Sequence, residues 1–225
     1  GLSLKRADTR QKRDSIAREI ERVTKEQQDQ MEAFLKSYSD SDVAPFFIEV
    51  NMLRMMSLEQ ISAFYDRFTD RVKQTEKGKE MGERIAQLKR LAPGSPAPEF
   101  ELTTPDGKKL ALKDLRGHIV LIDFWASWCG PCMDEMPNVK AIYEKYHDRG
   151  LEIVGVPMDN NKANWERAIE RAGLVWHHVS SLKGMNRCPV AKLYQVVAIP
   201  KFYIIGKDVK IIAKDLRGEE LREKI

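Results

Sequence analysis

A short cysteine motif, Trp128-Cys129-Gly130-Pro131-Cys132, constrains the fold of this chain more than any other feature. It follows the apolar run 118–124, which predicts a buried strand. It precedes apolar residues at helical spacing, including Met136, Val139 and Ile142. The motif therefore lies where a strand turns into a helix, and it places Cys129 at the N-terminus of that helix.

The position of the two cysteines favours redox chemistry. At a helix N-terminus, free backbone N–H groups and the positive end of the helix dipole stabilise a thiolate at Cys129. Pro131 fits the first turn because its φ is preset and its missing N–H would have no helical partner. Cys132 lies one turn further in, more shielded and close enough to Cys129 to form a disulfide. A nucleophilic thiolate beside a resolving thiol is what thiol–disulfide exchange requires.

Residues 123–132 resemble the active-site strand and turn of thioredoxin, and the region 98–225 resembles the TlpA/ResA-type thiol–disulfide oxidoreductases of the AhpC/TSA–thioredoxin superfamily. The resemblance implies an α/β fold with a thioredoxin-like mixed central sheet flanked by helices. It also implies an enzyme that reduces disulfides in partner proteins through the Cys129–Cys132 pair, without a cofactor or metal. The Gly-Pro pair is shared with thioredoxin, which is strongly reducing, and this favours a reductase over an oxidase.

Two acidic residues are candidates for handling the proton. Asp123 interrupts the apolar strand, and its pKa is expected to be raised because a buried carboxylate is costly when charged. By the resemblance, it matches the buried acid that helps to move the proton of the inner cysteine. Glu135 matches a catalytic glutamate of ResA-like proteins. The alternative for Glu135 is an exposed helix charge, as expected for Asp134.

The resemblance also implies substrate-binding residues. Trp128, with Gly130 and Pro131, is expected to line a groove beside the nucleophile. Pro200 precedes a predicted strand and matches the family's cis-proline, which faces the disulfide and leaves the Ile199 backbone free to pair with a substrate strand. The alternative is an ordinary trans proline at the start of a strand.

A change in composition divides the chain of 225 residues. Residues 1–91 are rich in Glu, Lys, Arg and Gln, and their apolar stripes predict about four helices, the first over roughly 10–37. We expect this region to serve docking or dimerisation. The Pro-rich segment 92–98 is predicted as a linker and residues 99–225 as the thioredoxin-like domain. The chain begins at Gly1 rather than Met, and we expect that a preceding segment with any targeting signal has been removed.

The individual elements follow from the same patterns. Phe46, Phe47, Val50 and Leu53 are expected on the buried stripe of a second helix, and Ile61, Phe64, Tyr65, Phe68 and Val72 on that of a third helix opened by a capping box at Ser57. In the second region, strands are expected at 118–124, 151–157, 174–179, 202–205 and 209–212, and helices at 161–171, 189–194 and 218–225.

Three other interpretations stay open. A peroxiredoxin-type peroxidase has a related fold, but Ile122 and Ala126 occupy the positions of the Pro and Thr in its Pro-x-x-x-Thr-x-x-Cys pattern. A zinc site would need further ligands such as Cys188, His177 and His178, and a Gly-Pro between cysteines is unlike a zinc knuckle. A non-enzymatic interaction module would have no need of a poised dithiol. Cys188 itself is expected to be a small buried hydrophobe, and the alternatives are a third redox thiol or a site of accidental dimerisation.

Charge and hydropathy exclude two classes. The net charge is only +4 and the charges are interspersed, so nothing marks a nucleic-acid binder. The apolar runs are far shorter than the roughly 18 residues that a membrane span requires. The resemblance implies a location outside the cytoplasm, in the bacterial periplasm or anchored at the membrane. It further implies protein thiols and disulfides as substrates and an upstream thiol reductant. A homodimer through the helical region is a further expectation.

Overall fold

The computed structural model describes residues 10–51 and 58–225. The chain divides into two compact units, residues 1–86 and 87–225, each with its own buried apolar core. This division falls inside a helix, before the segment predicted as a linker. The predicted domain boundaries at 91 and 99 stay predictions.

The first unit is built from helices. The helices are α1 (Arg10–Tyr38), α2 (Ala44–Asn51), α3 (Leu58–Asp66), α4 (Asp70–Gln74) and α5 (Glu76–Arg90), of which α5 continues past the division. The range of the first helix agrees with its prediction. The predicted third helix is interrupted after Asp66, where Thr69 caps α4 by accepting a hydrogen bond from the Val72 N–H. Ser57, the predicted capping residue, lies outside the described residues.

Apolar stripes on these helices form the core of the first unit. Its buried members are Met31, Ala44, Ile48, Ile61, Phe64, Phe68, Val72, Met81 and Ile85. The stripe predicted for α2 is wrong, because Phe46, Phe47 and Val50 are 49%, 38% and 61% exposed. The helix instead buries Ala44 and Ile48, which lie four residues apart on one face. Leu53 lies outside the described residues.

The second unit contains two sheets. Strands β1 (Glu101–Thr103) and β2 (Lys109–Ala111) form a hairpin, followed by a 3₁₀ turn at Leu112–Leu115. The main sheet consists of β3 (Ile119–Trp125), β4 (Leu151–Pro157), β5 (His177–His178), β6 (Lys201–Ile205) and β7 (Ile211–Lys214), in the order β5-β4-β3-β6-β7. Strands β3, β4 and β5 are parallel, and β6 is antiparallel to both β3 and β7. The predicted mixed sheet is thus present.

Helices connect and cover this sheet. They are α6 (Gly130–Tyr146), α7 (Lys162–Ala172), α8 (Pro189–Leu193) and α9 (Gly218–Lys224), with a 3₁₀ turn at His147–Arg149. Because crossovers between parallel strands are right-handed, α6 and α7 lie on the same face of the sheet. The Lys140 Nζ donates to the Ala172 carbonyl (3.2 Å) and joins them. No helix among the described residues is both long and apolar enough for a membrane span.

Strand β5 is shorter than predicted. Only His177 and His178 pair with β4, whereas a strand was expected over 174–179. Gly173 ends α7 with a left-handed φ of 59°, and Leu174 is already buried before the chain reaches the sheet. The prediction of a strand is therefore wrong at 174–176. Leu174 and Trp176 are buried although their backbone does not pair with the sheet, and buried apolar residues of this kind resemble a strand in the sequence.

The Pro-rich segment runs beside the hairpin of β6 and β7. The Gly94 N–H donates to the Ile211 carbonyl (2.8 Å), the Ile211 N–H to the Ser95 carbonyl (2.9 Å), and the Ala97 N–H to the Val209 carbonyl (2.8 Å). Prolines are tolerated at the edge of a sheet, where no ladder donor is needed. The backbone of this segment is thus held by the second unit.

Strand β3 is the buried centre of the second unit. Every residue from 120 to 125 is at most 2% exposed, and the strand is paired on both sides. The register sets Phe124 opposite Val156 of β4 and Lys201 of β6. The carboxyl end of β3 therefore lies beside the carboxyl end of β4 and the amino end of β6.

Candidate active site

The cysteine motif lies directly beyond the carboxyl end of β3. Cys129 is the N-cap of α6, its Sγ accepts a hydrogen bond from the Cys132 N–H (3.2 Å), and Pro131 lies in the first turn. The two cysteines form a disulfide with an S–S distance of 2.02 Å and a Cα–Cα distance of 5.2 Å. Cys129 is 6% exposed and Cys132 is 1% exposed, so the first cysteine is the more accessible, as the sequence predicts.

The surface beside Cys129 is open. Trp128 is 62% exposed, although large aromatic residues are usually buried when they only serve packing. A Cβ added at Gly130 would meet no other atom within 4 Å. An exposed indole beside an unobstructed backbone offers a partner both apolar area and close approach, which fits the predicted substrate-binding role of these residues.

A buried carboxylate that was not predicted from the sequence holds the turn before the motif. Asp159 is 3% exposed; its Oδ2 accepts from the Ser127 N–H (3.0 Å) and its Oδ1 from the Ser127 hydroxyl. The Met158 N–H also donates to the Trp125 carbonyl (2.7 Å). A signal was available, since a polar residue directly after a buried strand lies at the same sheet edge as the turn after a parallel neighbour.

Pro200 lies at the same edge. The Ile199–Pro200 peptide bond is cis, as the resemblance predicts. Pro200 is buried and precedes β6, whose first residue, Lys201, is paired with Phe124 near the end of β3. The Pro200 carbonyl accepts a hydrogen bond from the Arg217 Nη2 (2.6 Å). The topology thus brings the proline loop to the end of the sheet that carries the motif.

Asp123 is completely buried in the middle of β3. Burial raises the pKa of its carboxyl to about 8, and the nearby negative charge of Glu135 acts in the same direction. Within the described part of the chain, neither carboxylate oxygen has a hydrogen-bond partner. The carboxyl is therefore mostly protonated at neutral pH, and the raised pKa agrees with the sequence prediction.

Glu135 is fixed in place and half-buried, unlike the exposed Asp134 beside it. Its Oε1 accepts from the Asn138 Nδ2 (2.6 Å) and from the Gly218 N–H (2.8 Å). Asn138 in turn donates to the Gly218 carbonyl (3.2 Å) and accepts from the Arg222 Nε. The alternative of a freely solvated helix charge does not describe this residue. Its partner Gly218 lies 83 residues further along the chain, where no local sequence pattern could indicate the contact.

The other candidate ligands lie apart from the motif. Cys188 is a free, buried thiol at the N-cap of α8. His177 faces Glu152 (Nε2 to Oε2, 3.2 Å), and burial lowers the pKa of His178 to about 4. Over residues 10–51 and 58–225, no group of three or more His, Cys, Asp or Glu side chains is arranged to hold a metal ion.

The fold and this disulfide define a thioredoxin-like oxidoreductase. The chain belongs to the AhpC/TSA family, whose model matches residues 93–214. The thiol-disulfide oxidoreductase ResA of Bacillus thuringiensis subsp. konkukian is 34% identical over 132 residues, which cover 59% of this chain and 73% of that protein. ResA of Geobacillus thermodenitrificans is 35% identical over 136 residues, covering 59% and 76%.

Solved structures agree with these relatives. The thioredoxin domain of a thiol-disulfide oxidoreductase from Bacteroides vulgatus matches with a TM-score of 0.56 at 34% identity, over 59% of this chain and 94% of that one. A thiol-disulfide oxidoreductase from Bacteroides fragilis gives a TM-score of 0.55 at 30% identity, over 58% and 96%. The predicted thioredoxin-like fold and the predicted enzyme class, thiol–disulfide oxidoreductase, are confirmed.

The buried Asp123 predicts a specific dependence of stability on pH. Its pKa is about 8 in the folded chain and about 3.9 in an unfolded one, so between these values the folded state holds a proton that the unfolded state lacks. The ionisation of Asp123 therefore lowers the free energy of unfolding as pH rises from about 4 to about 8. In Asp123→Asn this contribution is absent. The difference in unfolding free energy, variant minus wild type, should rise by up to about 1.4 kcal/mol per pH unit.

Urea unfolding at a series of pH values, followed by tryptophan fluorescence, checks this expectation. All four tryptophans lie in the second unit, so the signal reports that unit alone. Asp134→Asn, the exposed neighbour on α6, is the control and should follow the wild type. A difference that stays constant across this pH range would contradict a raised pKa at Asp123.

Proposed function

We propose that this protein reduces disulfides in partner proteins through the Cys129–Cys132 pair. The observation that carries the proposal is a disulfide at the N-terminus of α6, within the region that matches the family. The relatives named ResA support exchange of this kind. The redox group of the proposal is the cysteine pair itself, with no cofactor or metal.

The exchange proceeds in two displacements. The Cys129 thiolate attacks one sulfur of the substrate disulfide, and the other substrate sulfur leaves as a thiolate. Cys132 then loses its proton and attacks Cys129, which forms the intramolecular disulfide and releases the second substrate sulfur. Two electrons pass from the enzyme dithiol to the substrate, and an upstream dithiol protein restores the reduced pair. The helix N-terminus supports this assignment, because its free N–H groups favour a thiolate at Cys129.

The proton of Cys132 requires an acceptor near the second displacement. We assign this role to Asp123, whose neutral carboxyl first releases its own proton and then accepts the proton of Cys132. The negative charge of Glu135 raises the pKa of Asp123. Trp128, Gly130 and Pro131 would contact the substrate beside Cys129, with the exposed indole as apolar surface. The Ile199 backbone, next to Pro200, would pair with an extended substrate segment.

The helical unit is proposed as a docking or dimerisation element. Val43, Phe46 and Val50 are 64%, 49% and 61% exposed on or next to α2, and grouped exposed apolar residues are typical of interaction surfaces. The family match begins only at residue 93. Sedimentation at increasing protein concentration, comparing the wild type with Phe46→Ser, distinguishes self-association from docking of another protein.

A location outside the cytoplasm is proposed from the relationship to ResA. A reductase of this kind would act on proteins in the bacterial periplasm or at the outer face of the membrane, where disulfides persist. Fractionation of the source cells, with the chain detected by antibody, tests this location.

The roles of the two cysteines predict which variant captures substrate. Cys132→Ala should accumulate a mixed disulfide through Cys129, because attack proceeds while resolution is removed. Cys129→Ala should lose disulfide reduction entirely. Mass spectrometry of each reduced variant, after mixing with a peptide that contains one intramolecular disulfide, measures the adduct. Cys188→Ala is the control and should behave as the wild type.

If the mixed disulfide accumulated in Cys129→Ala instead, Cys132 would be the attacking cysteine and Cys129 the resolving one. If neither variant nor the wild type reacted with any disulfide, the interaction-module alternative would replace the proposed reductase. Reactivity with hydrogen peroxide but not with disulfides would favour the peroxidase.

The acid–base assignment predicts a distinct pH profile for resolution. In single-turnover reactions the wild-type rate should rise as Asp123 ionises near pH 8, and Asp123→Asn should lose this inflection and slow by roughly 10²-fold or more. Glu135→Gln removes a charge that raises the Asp123 pKa, so its inflection should move to lower pH. Asp134→Asn should leave the profile in place. An unchanged profile in Asp123→Asn would remove Asp123 from the proton transfer.

A further inference from the structure

Two adjacent residues near the end of the chain reach both sides of the candidate site. The Arg217 Nη2 donates to the Pro200 carbonyl at 2.6 Å, before β6. The next residue, Gly218, donates its N–H to the Glu135 Oε1 at 2.8 Å, on α6. The first bond lies at the open end of the β6–β7 hairpin, and the second links that end to α6, 83 residues away in the sequence.

The bond from Arg217 is the stronger of the two by its chemistry. A guanidinium donor makes the bond charge-assisted, and such bonds are shorter and stronger than neutral ones. Pro200 has no N–H of its own, so its carbonyl is the backbone group through which this position can be held. Arg217 itself is exposed, whereas Pro200 is buried, so the bond joins a surface guanidinium to the buried proline position.

Gly218 anchors the other end. Its φ of +55° belongs to the left-handed region that favours glycine. Its N–H bonds to Glu135 and its carbonyl accepts from the Asn138 Nδ2, which also donates to Glu135. Both backbone groups of Gly218 are thereby fixed to α6, the helix that begins at the disulfide. The residue beside it therefore holds the proline loop at a set distance from that helix.

We propose that Arg217 is a positioning residue that sets the Ile199–Pro200 edge relative to the disulfide for binding an extended peptide, with Gly218 as its anchor on α6. The inference rests on the proposed function, since it concerns how a disulfide-containing chain docks beside Cys129. In this role Arg217 would favour substrates that present a peptide backbone over small disulfides.

The test compares two substrates of different chemistry. One is a synthetic peptide with an intramolecular disulfide, and the other is 5,5′-dithiobis(2-nitrobenzoate), which has no peptide backbone. For Arg217→Met, which keeps length but removes the donor, the ratio of kcat/KM for the peptide to that for the small disulfide should fall roughly tenfold, the size expected when one charged hydrogen bond is lost. The fall should appear in the KM for the peptide and not in its kcat. Arg217→Lys should recover part of the ratio.

Arg116→Met is the matched control, because Arg116 is an exposed arginine of the same unit, paired with Glu99 at 3.0 Å. Its ratio should equal that of the wild type, and urea unfolding confirms that each variant is folded. An unchanged ratio in Arg217→Met overturns the inference, as does an equal loss on both substrates, which would indicate a merely structural role. A wild type that reduces neither substrate would refute the proposed function instead.

Discussion

The pairing of β3 on both of its edges is the constraint on which the candidate site depends. A strand parallel to one neighbour and antiparallel to the other brings different chain segments to its carboxyl end. Its own continuation leads to Cys129, the continuation of β4 supplies Asp159, and the segment before β6 supplies Pro200. Adjacent strands lie only about 4.8 Å apart, so segments that are distant in the sequence become neighbours at this edge. Asp159 then fixes the turn by accepting two hydrogen bonds from Ser127.

The same strand carries a buried acid whose carboxylate oxygens have no hydrogen-bond partner among the described residues. Asp123 faces Gly155 on one side and Phe202 on the other, and these neighbours provide no charge or side-chain donor to stabilise a carboxylate. Its burial is tolerable because the group stays protonated, which avoids the cost of a buried charge. Glu135 reinforces this state, since it is held nearby by the Gly218 N–H. The protonated state of Asp123 thus depends in part on a contact made by the last helix of the chain.

The sequence predicted what local patterns encode. The strand–turn–helix context located the disulfide, and the lone acid in an apolar strand identified Asp123, because both signals lie within a few residues. The resemblance added the cis bond at Pro200. The hydrogen bonds from Ser127 to Asp159 and from Gly218 to Glu135 were not predicted, because they depend on which strands and helices become neighbours in space. The stripe predicted for α2 failed for a related reason, since a helix of eight residues has more apolar positions than its neighbours cover.

The first turn of α6 bears on the direction of exchange. A thiolate at Cys129 is stabilised by the free N–H groups of this turn, and the Cys132 N–H already points at its sulfur (3.2 Å). Pro131 contributes no N–H, so the turn offers fewer donors than a motif without proline. Fewer donors stabilise the thiolate of the reduced form less, and a less stabilised reduced form gives up its electrons more readily. Pro131 is therefore expected to favour electron donation by the Cys129–Cys132 pair, which is the direction of the proposed reductase.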